Sequence, residues 1–164
     1  IPYYNFNHKY VLCESVLKVK PEYSIKNERR MKKKLLDDIQ DTLSALDRAE
    51  KLQIKAASVG FDWQNSNEII KKIEEELNEV REVISSNRIH ENLSEEIGDL
   101  IFSCINLARY YQINSETILQ NTNNKFIRRI NYIESNLRKR NILMSDASLE
   151  EMDRLWEESK ANII

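Results

Sequence analysis

Only two glycines and two prolines stand in this chain of 164 residues. So few breakers argue against a turn-rich all-β architecture. They leave room for long helices, to which Leu, Ile, Glu, Lys, Arg and Asn at helical spacing are suited. Two cysteines, Cys13 and Cys104, are too few for a disulfide framework. Cys104 falls inside an apolar helical run, which predicts a reduced, buried thiol and points to the cytoplasm. No apolar run approaches the roughly 18 residues needed to span a bilayer, and the start lacks the basic-then-apolar pattern of a leader, so no membrane association is expected. The formal charge of −2 lacks the basic excess with which proteins hold nucleic-acid phosphates, so no nucleic acid is expected as partner. The first residue is Ile1 rather than Met, which reads as a piece of something longer.

What is present, 41% apolar and 32% charged residues, describes one globular domain with a sizeable core and well-solvated faces. Residues 1–34 form an N-terminal segment of uncertain structure, aromatic and Asn-rich at first, broken at Pro21, and basic from Asn27 to Lys34. Residues 35–164 read as an all-α helical bundle. Leu35, Ile39, Leu43, Leu46, Ala49, Leu52 and Ala56 recur by threes and fours, predicting a first helix that stops near Gly60. Phe61-Asp62-Trp63 forms an aromatic corner expected in the core. Asn65 with Glu68 is an N-cap signature for a second helix, whose stripe is Ile69, Ile73, Leu77, Val80 and Ile84.

A third helix, about Leu93 to Tyr111, is apolar almost all round and reads as a buried central element, with Gly98 there to permit close packing. Ser115 and Glu116 open a fourth helix that breaks at Asn141 to Ala147, and Ser148 with Glu151 caps a last one containing Trp156.

Chemistry concentrates in two acidic clusters, Glu75-Glu76-Leu77-Asn78-Glu79 and Glu95-Glu96-Ile97-Gly98-Asp99. Residues three apart on a helix lie about 60° apart around it, so Glu76 and Glu79 share a face, as do Glu96 and Asp99. Centring the second helix on its apolar stripe puts Glu76 at the border, Glu79 one step out, and Glu75 nearly opposite the core. Glu75 is therefore the poorest ligand of its cluster. Glu96 and Asp99 sit on a helix with little polar face to spare, where an unpaired carboxylate costs several kcal/mol, so something positive must face them. Lys or Arg would serve. Four convergent carboxylates also match the hard oxygen shell of Mg²⁺, with Mn²⁺ as the alternative. A di-iron carboxylate bundle is excluded, since neither His8 nor His90 follows a Glu by three residues. The bland reading is a set of ordinary exposed carboxylates on charged helices.

The ordered blocks Leu43 to Gln53, Val59-Gly60-Phe61-Asp62-Trp63, both acidic clusters, Asn106-Leu107-Ala108-Arg109, Asn124 to Arg129 and Leu149 to Trp156 extend over most of the chain. In these the chain resembles the MazG-type nucleoside triphosphate pyrophosphohydrolases, specifically the C-terminal of the two related domains in the full-length bacterial enzyme. The resemblance implies an all-α bundle, a homodimer whose site takes help from the partner subunit, and Mg²⁺-dependent cleavage of a nucleoside triphosphate to monophosphate and pyrophosphate, with broad base tolerance. It carries the metal ligands onto Glu76, Glu79, Glu96 and Asp99, and it implies a catalytic role for the same four.

Lys125 and Arg129, four apart, share a face and suit a phosphate clamp; the alternative is a pair of solvated cations. Lys72, one turn before Glu76, is suited either to a phosphate or to that carboxylate. By resemblance Trp156 touches the nucleotide, with an ordinary buried aromatic as the alternative. Asn106 is open between a ligand contact and a backbone cap. The chain has one acidic constellation and no N-terminal twin. Two other readings are a narrower all-α pyrophosphohydrolase, for dUTP, dCTP or phosphoribosyl-ATP, and a catalytically idle helical dimer that serves as a binding module.

Overall fold

The computed structural model describes residues 34–86 and 89–162; the expectations for residues 1–33, Cys13 and His8 among them, lie outside it. Residues from Asp38 onward form one compact unit. Among the described residues there are five α-helices and no strand: α1 Ala45–Ala57, α2 Ser66–Ser85, α3 Ile89–Tyr110, α4 Ser115–Arg138 and α5 Leu149–Asn162, with a short 3₁₀ turn at Met144–Asp146. None of these helices is long and apolar enough to cross a membrane.

Helix ends follow local chemistry. Ser44 caps α1 by accepting from the Asp47 N–H at 3.1 Å, so α1 begins there and not at Leu35. The apolar periodicity does continue upstream through Leu35, Ile39 and Leu43. A serine that satisfies an otherwise unpaired helical N–H, worth about 1 kcal/mol, nonetheless sets the start. Asn65 and Ser148 cap α2 and the start of α5 by accepting from the Glu68 and Glu151 N–H groups, both at 3.2 Å, as the sequence predicts. Glu68 in turn accepts from the N–H of Gln64 and from the Asn65 side-chain amide.

Three helices end in the same way. At α1, Phe61 N–H returns to the Ala56 carbonyl at 3.1 Å while Gly60 takes φ +89°. At α3 and α4, Ile113 returns to Ala108 and Ile142 to Leu137, with Gln112 and Asn141 at φ 58° and 55°. This is the Schellman closure, in which a left-handed residue lets the last carbonyls find donors.

The best-packed core lies where α4 meets α5: Ile133, Leu137 and Leu155 are buried, with Ile130, Tyr132, Ile142, Met144, Met152 and Trp156 packed around them. Polar ties join α1 to the rest. Gln53 Nε2 donates to the Phe102 carbonyl at 2.9 Å, Ser115 N–H donates to Glu50 Oε2 at 3.1 Å, and Ser44 Oγ donates to Glu116 Oε2 at 2.7 Å.

α2 packs along α3 and against no other described helix. This one-sided packing corrects two expectations. On α2 the buried line runs through Ile69 and Glu76, whereas Leu77 and Ile84 are exposed. α3 is not enclosed: Ile97, Ile101, Phe102 and Cys104 are exposed, and a Cβ on Gly98 would meet nothing within 4 Å. Phe61 is likewise exposed instead of joining the core. With Ile70 on α2 and Ile118, Leu119, Phe126 and Ile127 on α4, the chain leaves far more large apolar side chains uncovered than a scatter of single residues.

Candidate metal centre

Three residues separate the end of α2 from the start of α3, and the two helices lie against each other. A connection this short folds them antiparallel, which carries the middle of one past the middle of the other. Glu76 and Glu96 therefore meet across the helix pair, and Asp99, three residues after Glu96, stays on the same face. One oxygen from each of Glu76, Glu96 and Asp99 lies within 4.8 Å of the others. Glu76 is buried at 3% exposure, Glu96 is half-buried and Asp99 exposed.

Glu79 is outside that mutual 4.8 Å group but touches it. Its carboxyl is pushed above its ordinary value, first by the closeness of the Glu76 carboxylate, then by desolvation and by Glu96. Protons bind more readily where carboxylates crowd together, because each added negative charge raises the energy of the ionised form.

The electrostatics call for a cation. At an effective dielectric near 20, two unit charges 4.8 Å apart repel by about 3.5 kcal/mol, less for the pairs that include water-exposed Asp99. Lys72 supplies one positive charge, with Nζ 2.7 Å from Glu76 Oε1 and 2.6 Å from Glu75 Oε1. These two bonds hold the Lys72 ammonium above the usual lysine range against the opposing effect of burial, and the same contact holds Glu75 low.

Glu76 Oε2 is buried with no hydrogen-bonding partner. A buried carboxylate oxygen left unsatisfied is costly. An all-carboxylate donor set with such an oxygen fits a hard divalent cation, Mg²⁺ or Mn²⁺, better than the softer metals that seek imidazole or thiolate.

The other expected residues assemble elsewhere. Arg129 on α4 lies over the Trp156 ring, with Cζ 5.1 Å from the ring centroid, and Phe126 tilts against the same ring at 5.6 Å. Lys125 is exposed one turn earlier on α4. α2, which carries Lys72 and Glu76, packs on neither α4 nor α5, the helices that carry Lys125, Arg129 and Trp156.

Two partnerships escape sequence reading. Glu75, set aside by helical phase, is bonded to Lys72. Asn106 Oδ1 accepts from Arg109 Nε at 2.9 Å, while the Arg109 guanidinium grips Asp62. The spacing of three between Asn106 and Arg109 was the one available sign.

Residues 64–133 match the MazG nucleotide pyrophosphohydrolase domain. The chain is similar to a nucleoside triphosphate pyrophosphohydrolase of Escherichia coli, 39% identical over 140 residues that cover 83% of this chain and 53% of that protein. A nucleoside triphosphate pyrophosphohydrolase/pyrophosphatase MazG of Thermotoga maritima is 34% identical over 138 residues, covering 83% of this chain and 52% of its own length. The Bacillus subtilis protein YabN is 44% identical over 127 residues, which cover 77% of this chain and 26% of that protein. The chain thus spans about half the length of the first two relatives. The matched segment contains both acidic helices and the face on which Glu76, Glu96 and Asp99 converge, and over that segment the chain is similar to the MazG nucleotide pyrophosphohydrolase domain.

Proposed function

We propose that this chain is a cytoplasmic, homodimeric nucleoside triphosphate pyrophosphohydrolase that uses Mg²⁺, with Mn²⁺ as the alternative, to release pyrophosphate and the nucleoside monophosphate with broad tolerance of the base. The observation that carries the proposal is the group of Glu76, Glu96 and Asp99 oxygens within 4.8 Å of one another, one of them on a carboxylate with a buried, unpartnered oxygen. Glu76, Glu96 and Asp99 hold the cation, and Glu79 completes the set from its margin. When bound, Mg²⁺ supplies neutralisation of the charge that develops on the phosphates.

The chain's own groups do the rest. Water adds to phosphorus at the bond between the α and β phosphates, and the bridging oxygen leaves with pyrophosphate. The water's proton passes to a carboxylate of the same set, Glu79 or Glu76. Lys72 meets the phosphates from the carboxylate side. Lys125 and Arg129 clamp the departing charge, Arg129 being held in orientation by the Trp156 face, and Trp156 offers the nucleotide a ring edge.

α2, with Lys72, Glu76 and Glu79, packs on neither α4 nor α5, and apolar side chains of α2, α3 and α4 are uncovered. A second copy seated on those faces accounts for both, by bringing its own Arg129 and Trp156 toward the carboxylates. Incubation with single nucleoside triphosphates and Mg²⁺, followed by identification of the phosphate products, tests the proposal. Pyrophosphate with monophosphate from several bases is expected. Orthophosphate release overturns it, turnover of one base alone converts it to the narrower enzyme, and no turnover leaves the idle module.

A further inference from the structure

Lys72 stands between two carboxylates that differ in everything but distance. Its Nζ is 2.6 Å from Glu75 Oε1 and 2.7 Å from Glu76 Oε1, yet the Glu75 side chain is 57% exposed and that of Glu76 5%. Glu76 belongs to the group that converges with Glu96 and Asp99, and Glu75 does not. Because the two acids follow Lys72 by three and four residues, they bracket its ammonium on one helix surface. The four-carbon stem lets the charge pass from one to the other by side-chain rotation, with no movement of the backbone.

We infer that Lys72 is a tethered counter-ion that Glu76 exchanges for the divalent cation, and that Glu75 is the positioning residue that receives the ammonium when it leaves. The inference rests on the metal-binding role proposed for this site. Its physical basis is charge conservation in a buried place. Without a cation, a Glu76 carboxylate stripped of Lys72 would be buried with neither oxygen satisfied, since Oε2 already has no partner. With a divalent cation in place, an ammonium still on Glu76 would face like charge across a few ångströms of poorly screening interior. Glu75 resolves the conflict: it draws the ammonium outward along the same helix and keeps it beside the site, positioned for an anionic substrate.

The test is binding of Mn²⁺ alone, without nucleotide, followed by calorimetry and by the paramagnetic signal of the free ion. Lys72→Met should tighten Mn²⁺ binding about tenfold, as expected for removing a competing unit charge at this range. Lys72→Gln, which keeps a donor for Glu76, should tighten it in the same direction and covers the case in which the Met variant folds poorly. Lys71→Met, an exposed neighbour, should leave it unchanged.

Glu75→Gln should weaken binding about threefold in the parent chain and by less than about 1.5-fold in the Lys72→Met background, because Glu75 acts through Lys72. Unchanged or weaker binding in both Lys72 variants overturns the counter-ion role. An equal effect of Glu75→Gln in both backgrounds overturns the positioning role. If neither parent nor Lys72 variant binds Mn²⁺, the metal reading itself falls and the inference with it. Binding by the parent that is lost in Glu96→Gln while Lys72→Met has no effect removes the inference alone.

Discussion

Arg109, in the last turn of α3, donates from both terminal nitrogens to the carboxylate of Asp62 in the loop before α2, with Nη1 3.1 Å from Oδ2. Its Nε is held by Asn106, so each of the three guanidinium nitrogens has a partner. The contact pins the start of α2 to the end of α3 and so helps set the register in which the two helices present their carboxylates.

The Asp62 carboxyl is held below its ordinary value of 3.8, first by the Arg109 hydrogen bond and against the effect of burial. A carboxyl that is more acidic folded than unfolded stabilises the fold above the unfolded pKa, and that contribution is lost as pH falls through the folded value. Asp62→Asn should therefore cost about 1 kcal/mol in urea unfolding at pH 7, with the gap to the parent narrowing at a pH below the ordinary 3.8. A gap of the same size at both pH values would assign the loss to amide geometry instead of charge.

Gln112 sits at φ 58°, where Gly60 closes the equivalent turn at φ 89°. A residue with a Cβ is strained there and glycine is not. Gln112→Gly is expected to raise stability by about 0.5–1 kcal/mol, and Gly60→Ala to lower it by about 1 kcal/mol. Chemical denaturation of the two variants reads both signs, and a loss for Gln112→Gly would show that its side chain matters more than its backbone angle.

Glu96→Gln removes one charge from a group crowded within 4.8 Å. Without divalent cation, the variant should melt higher than the parent, by about 1 kcal/mol of relieved repulsion. It should also lose the extra stabilisation that Mg²⁺ gives the parent, and its hydrolysis should fall at least about 100-fold. Melting curves in chelator and in Mg²⁺, with the product assay, would check all three; a variant that melts lower in chelator would contradict the repulsion argument.

Ile101 is 50% exposed on α3, close in sequence to the exposed Cys104. If a second copy covers this face, Ile101→Lys should turn a dimer into a monomer in sedimentation velocity. Partial burial pushes the Cys104 thiol up, which slows its alkylation, and the monomeric variant should react faster at that position in peptide mapping. A parent chain that already sediments as a monomer would end this expectation.

How legible all this was from sequence depends on which force decides each feature. Asn65 with Glu68, Ser148 with Glu151, and Gly60 were readable because caps are local and few residue types make them. Periodicity gave the right helices but the wrong rotation for α2. Apolarity marked Leu77 and Ile84 for burial, yet the helix is covered on one side by α3, and Glu76 sits deeper than either. For the same reason the apolar girth of α3 was misread as enclosure within one chain. Spacing along α3 put Glu96 and Asp99 on one face, since helical geometry fixes Cβ positions, whereas the meeting of Glu76 with them, without Glu79, comes from the packing of α2 on α3. The bond from Lys72 to Glu75 depends on rotamers, and the grip of Arg109 on Asp62 joins residues far apart in sequence; neither leaves a periodic trace.

That α2 makes no contact with α4 or α5 has a consequence in mixtures. A chain disabled by Glu96→Gln keeps its Arg129, and one disabled by Arg129→Ala keeps its carboxylates. If each working site takes its acids from one copy and its clamp from the other, refolding the two inactive chains together should restore about a quarter of the parental activity, from the one sound site in each mixed pair. A site drawn wholly from one chain would give nothing back.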